Sequence, residues 1–215
     1  MIQPDYKTFA KLARQGNLVP VYEAVSADLL TPVSAWLKLA AKARYSFLLE
    51  SVEGGEKIAR YTFLGADPVE VFRYRGPESA ASHYPIEELR ALLGMYQPVR
   101  IPGLPPLTGG AIGYFSYDMV RLNERIPAAA RDDLGLDDVA LMFYLGLVAF
   151  DHVQHRIWII RNVYTDGPGT LRAKYDAVVH EIRRVEQLLS KALAMKARRG
   201  HGGALRVSSN VRKPA

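Results

Sequence analysis

Residues 45–68 read YSFLLESVEGGEKIARYTFLGADP. Two runs rich in aromatic and β-branched residues, 45–52 and 58–64, flank a turn built on Gly54-Gly55, the pattern of a β-hairpin with a short glycine loop. In the first run Phe47 and Leu49 fall on one face of the pleat, with Ser46, Leu48 and Glu50 on the other. Glu50-Ser51 interrupts the apolar run. In a buried strand both groups need partners, because an unpaired buried polar group costs about 1–3 kcal/mol, and Arg60 across the hairpin is a candidate partner.

Upstream of the hairpin, residues 5–15 space Tyr6, Phe9, Leu12 and Ala13 at helical intervals, with Gly16 as the expected C-cap. Residues 18–25, LVPVYEAV, form a strand whose Pro20 suits a sheet edge. Thr31-Pro32 opens a second helix with a capping side chain and a proline at the first helical position; Val33, Trp36, Leu37 and Ala40 form its apolar face. Downstream, residues 69–74 alternate as a third strand, which suggests an antiparallel meander, and residues 85–96 form a short helix. Pro98, Pro102, Pro105 and Pro106 predict an extended surface connection.

Gly109, Gly110 and Gly113 lie among apolar residues, so they mark backbone close packing or close approach of a ligand. The spacing matches no nucleotide fingerprint. A helical turn is expected over 118–124, followed by a polar loop. Residues 139–150 and 156–164 are the clearest strands, joined at a tip containing Asp151, His152 and His155, residue types at home in turns. Finally Leu171, Tyr175, Val178, Ile182, Val185, Leu189 and Ala192 step by four and three along one stripe of a long helix suited to packing on a sheet.

The net charge of +6 has a local origin. Residues 196–215 contain six Lys and Arg and no Asp or Glu, so the remaining 22 basic residues balance the 22 acidic ones. The body is neutral and the tail basic, which argues against a nucleic-acid partner for the body. The tail, with Gly200, Gly202 and Gly203 and little apolar surface, has the composition of a solvated linker. With no cysteine there is no disulfide or thiolate metal site, consistent with a cytoplasmic protein. No run approaches the roughly 18 apolar residues of a membrane span, and the start lacks a signal-peptide core.

No complete active site is legible, since there is no nucleophile elbow and no carboxylate pair whose spacing forces a shared site. The expectation is therefore no catalytic residue and no metal ligand in this chain. Glu50, Ser51 and Arg60, with Leu49 and Phe63 beside them, do assemble what an amino acid requires: an acceptor for its ammonium, a hydroxyl or cation for its carboxylate, and apolar walls. A cross-hairpin ion pair between Glu50 and Arg60 closing a core is the competing interpretation. Gly113-Tyr114-Phe115 is a weaker candidate wall.

Leu48-Leu49-Glu50-Ser51, the glycine turn, Arg60-Tyr61-Thr62-Phe63 and Gly65-Ala66-Asp67-Pro68 resemble the amino-terminal region of the anthranilate synthase component I family of chorismate-utilising enzymes. The likeness continues through residues 109–114, Tyr117-Asp118 and Phe150-Asp151-His152. It implies an α+β fold, the amino-terminal half of the family fold, with mainly antiparallel sheets face to face and helices outside. It also implies a regulatory domain over residues 1–197 and a basic linker over 198–215 toward an absent carboxy-terminal chorismate-binding domain. The parent enzyme would convert chorismate and ammonia to anthranilate, with Mg²⁺ bound by the absent domain and a glutamine amidotransferase subunit as partner. By the same resemblance Leu49, Glu50, Ser51 and Arg60 form a feedback site for L-tryptophan. Aminodeoxychorismate synthase component I and a free-standing amino-acid-binding module are the alternatives.

Overall fold

A computed structural model describes residues 1–27, 30–50, 60–76, 85–124, 126 and 134–191. Helix α1 (Tyr6–Leu12) starts where the Asp5 carboxylate accepts the Thr8 N–H at 2.8 Å. Strand β1 (Leu18–Ser26) follows, and then α2 (Pro32–Ala40), where Thr31 and Ser34 cap reciprocally as the Thr-Pro signal implied. Next come β2 (Ser46–Leu49), β3 (Tyr61–Ala66), β4 (Glu70–Tyr74) and α3 (Pro85–Gly94). Strand β5 (Gly110–Phe115) and a 3-10 turn (Tyr117–Leu122) precede β6 (Val139–Tyr144), β7 (Gly146–Asp151) and β8 (Arg156–Tyr164). Helix α4 (Leu171–Ser190) begins at the Thr170 cap.

The strands make two antiparallel sheets, one ordered β1-β8-β7-β3-β2 and the other β4-β6-β5. Alternation sorts the side chains of the central strands β7 and β8 between two cores. Val148, Phe150, Ile157, Ile159 and Val163 pack with Phe9, Ala35, Ile182, Val185 and Leu189 from α1, α2 and α4. Leu147, Ala149 and Ile160 face the other way, meeting Phe47 from β2 and Tyr144, Met142 and Ile112 from the second sheet. The outer face of that second sheet packs Phe72, Val139, Leu141 and Phe143 against Leu89 of α3. The result is four layers, helices, sheet, sheet, helix, with each fully buried aliphatic side chain contributing about 1.5–3 kcal/mol. The expected α+β architecture with face-to-face antiparallel sheets is what the chain forms.

Several local expectations differ from the structure. The topology is not a meander: β1 pairs with β8 and β3 with β7, and the chain returns only after more than eighty residues. Residues 139–150 are two strands in different sheets, broken at Leu145, whose carbonyl accepts Asn162 N–H at 2.6 Å. Gly146 permits the crossing, because a Cβ there would lie 2.5 Å from Arg161 Nη1 and 2.6 Å from the Ile160 carbonyl oxygen. The proline-rich stretch is not a mere surface connection. Val99 is buried and its N–H donates to Leu18 O at 2.9 Å, while Leu104 and Leu107 pack into the core between the sheets. Gly16 does not cap α1, which ends at Ala13; its missing side chain instead admits the Gln97 carbonyl. Pro20 does sit on a sheet edge, as β1 is the outermost strand. The proposed turn at Gly54-Gly55 and the boundary near 197 lie outside the described residues.

Candidate functional site

The hairpin that organises the sequence forms the edge of the five-stranded sheet. Its arms pair in the register Ser46↔Ala66, Phe47↔Gly65, Leu48↔Leu64 and Leu49↔Phe63. Gly65 is required there, since a Cβ would meet the Phe47 ring at 2.5 Å. Phe47 itself stacks edge-on against Tyr144 with centroids 4.8 Å apart, joining the hairpin to the second sheet. Beyond this anchor the strand becomes exposed. Leu49 is 46% accessible and Glu50 is exposed, so the Glu50 carboxylate carries no burial penalty in this chain. Ser51 lies outside the described residues.

Arg60 does not pair with Glu50. Its Nε donates to Asp151 Oδ1 at 3.0 Å and its Nη2 to Oδ2 at 2.6 Å, a bidentate bridge from the start of β3 to the end of β7. Asp151 is 1% exposed and opposite Tyr61 in the register. Burial alone would raise its pKa, but the Arg60 fork and the N–H groups of Gln154 and Val153 more than offset that and hold the carboxyl below its ordinary value. Both of those N–H groups donate to Oδ1 at 3.1 Å, so Asp151 also shapes the tip between β7 and β8. The Arg60 guanidinium lies 4.9 Å from the Tyr61 ring centroid, and Tyr61 stacks with Phe63 at 5.8 Å. On the other face His152 Nε2 and Thr62 Oγ1 are hydrogen-bonded at 2.8 Å, and His152 N–H donates to Arg60 O at 2.9 Å.

The start of β3 therefore carries an arginine fixed by an aspartate and an aromatic platform, on the strand whose half-buried Phe63 pairs with the exposed Leu49. That is a surface able to offer an apolar wall and an oriented cation to a small zwitterion. The sequence exposed Arg60 but not its partner. Asp151 stands ninety-one residues away, and only the adjacency of β3 and β7 brings the two together. Gly113 resolves toward backbone packing, because a Cβ there would overlap the Ala140 carbonyl oxygen of the neighbouring strand. Tyr114 and Phe115 beside it are 43% and 50% exposed on the sheet edge. Among the described residues no group of three or more His, Asp or Glu side chains is placed to hold a metal ion. Among the described residues no helix is long and apolar enough to cross a membrane.

Over 171 residues, 74% of this chain, the sequence is 42% identical to anthranilate synthase component 1 of Synechocystis sp. (strain ATCC 27184 / PCC 6803 / Kazusa), of which that stretch is 34%. The chain is homologous to part of anthranilate synthase component I. The Acetivibrio thermocellus protein of that name is 33% identical over 87% of this chain and 39% of its own length. That of Mycolicibacterium smegmatis (strain ATCC 700084 / mc(2)155) is 42% identical over 72% and 31%. The chain thus spans about a third of the length of these anthranilate synthase relatives. No family model matches it. A solved anthranilate synthase component I from Streptococcus pneumoniae TIGR4 aligns at a TM-score of 0.48 and 21% identity, over 79% of this chain and 39% of that one.

Proposed function

We propose that this chain is the amino-terminal, tryptophan-sensing part of an anthranilate synthase component I. The whole polypeptide would convert chorismate and ammonia drawn from glutamine to anthranilate and pyruvate in tryptophan biosynthesis. The observation that carries the reading is the 42% identity to a protein of that name over three quarters of the chain. The remaining two thirds of the polypeptide would supply the chorismate site and the Mg²⁺ ligands, and a glutamine amidotransferase, component II, would deliver ammonia in the cytoplasm. This chain would contribute the feedback site. Leu49 would wall the indole, Glu50 would accept the ammonium, and Ser51 and Arg60 would receive the carboxylate.

The test is product identity. The full-length polypeptide is incubated with chorismate, Mg²⁺ and ammonium, in parallel with the 215-residue chain. Anthranilate fluorescence is followed and products are separated by chromatography. The reading requires anthranilate from the full-length protein and none from the chain above a protein-free control. Aminodeoxychorismate as product would replace it with the folate-pathway sibling.

A further inference from the structure

We propose that Asp151 is a positioning residue for the amino-acid site, acting through Arg60; the inference rests on the tryptophan-site reading above. A guanidinium has five N–H donors in a rigid plane. Asp151 takes the side-on fork, one N–H from Nε and one from Nη2. The end-on fork, formed by Nη1 and the second N–H of Nη2, remains directed away from the aspartate. The Arg60 side chain is 34% exposed and that of Asp151 1%, so the arginine stands at the surface with its aspartate beneath it. A carboxylate docking end-on would find two parallel donors already aimed.

The aim is fixed on several sides. Asp151 cannot rotate without releasing the Val153 and Gln154 N–H groups from Oδ1. The Tyr61 ring lies against the guanidinium, 4.9 Å from its carbon to the ring centroid, and the hydrogen bond from His152 N–H to Arg60 O pins the arginine backbone. An arginine oriented in advance loses less side-chain freedom when it binds, which strengthens the hydrogen bonds it makes to a ligand. The opposite relation is equally concrete. If Asp151 merely neutralised Arg60, removing its charge would free the cation and tighten the ligand.

These two relations predict opposite signs for Asp151→Asn. The amide keeps an oxygen for Val153 and Gln154 but turns an NH₂ toward Arg60 Nη2, so a donor faces a donor and the fork swings away. In the full-length enzyme the tryptophan concentration giving half inhibition, normalised to each variant's own uninhibited rate, should rise roughly tenfold, as for one weakened charge-assisted hydrogen bond. The KM for chorismate, measured in parallel, separates re-aiming of Arg60 from general unfolding. Tyr61→Leu leaves the aspartate in place and removes only the platform, so it supplies a second reading if Asp151→Asn does not fold; half inhibition should again rise severalfold. Half inhibition that falls or stays put in the folded variants overturns the positioning role. A wild-type enzyme indifferent to tryptophan overturns the underlying site instead, so the two failures are distinguishable.

Discussion

Replacing Gly113 by alanine tests whether the glycines of β5 serve the sheet or a ligand. The added methyl would overlap the Ala140 carbonyl oxygen and stand 2.8 Å from its carbon and 3.0 Å from Leu141 Cα. All of these atoms are backbone of β6, held from its other side by β4, so no flexible side chain is available to yield. Overpacking of this kind costs about 1–3 kcal/mol. At about 2–4 °C per kcal/mol for a domain of this size, the thermal midpoint should fall by roughly 2–12 °C. Gly94→Ala is the matched control: it ends α3 with nothing within 4 Å of the new methyl, and fewer unfolded conformations should leave it neutral or stabler by about 0.4–1 kcal/mol. Circular dichroism melts of the 215-residue chain and its two variants suffice. A Gly113→Ala protein melting with wild type would refute the backbone-contact argument and return that glycine to a ligand role.

Tyr175 O–H donates to Pro4 O at 2.8 Å inside the helical layer, so Tyr175→Phe should cost about 1 kcal/mol, read as a lower urea midpoint with an unchanged slope. Burial raises the pKa of that phenol, so its contribution is complete below the unfolded value of 10.0 and is lost as pH climbs through the folded one; wild type should weaken above about pH 10, and Tyr175→Phe less so. Asp151 behaves with the opposite sign. Its folded pKa lies below the ordinary carboxyl value of 3.8, so its contribution is present above that pH and is lost as pH falls through the folded value. Urea titrations between pH 5 and 2 should show a steeper loss for wild type than for Asp151→Asn, and parallel curves would contradict the ion pair.

The elements that were legible in the sequence are those whose signal is local. Thr31-Pro32 announced α2 because capping chemistry sits within four residues, and the stripe from Leu171 to Leu189 announced α4 because one face of a helix repeats. The β2–β3 pairing was legible from its two apolar runs. What escaped depends on distant neighbours. The run 139–150 showed no alternation, because β7 is buried on both faces, so nothing apolar marked the passage between sheets except Gly146. The prolines of 98–106 forbid regular pairing but not burial, and Val99, Leu104 and Leu107 turned inward. At the site, Arg60 was visible as a cation near the hairpin, while Asp151 looked like a turn residue. It is one, through Val153 and Gln154, and its second carboxylate role appears only when β3 lies against β7.

The tryptophan inhibition curve of the full-length polypeptide, wild type against Ser51→Ala at fixed chorismate, decides whether this chain senses tryptophan. Losing one hydrogen bond to a charged ligand is worth about 1.5–3 kcal/mol, so the variant's half-inhibition point should move to roughly 10- to 150-fold higher tryptophan. Superimposable curves, or a wild-type enzyme that tryptophan does not inhibit, would contradict the assignment of this chain as the tryptophan sensor.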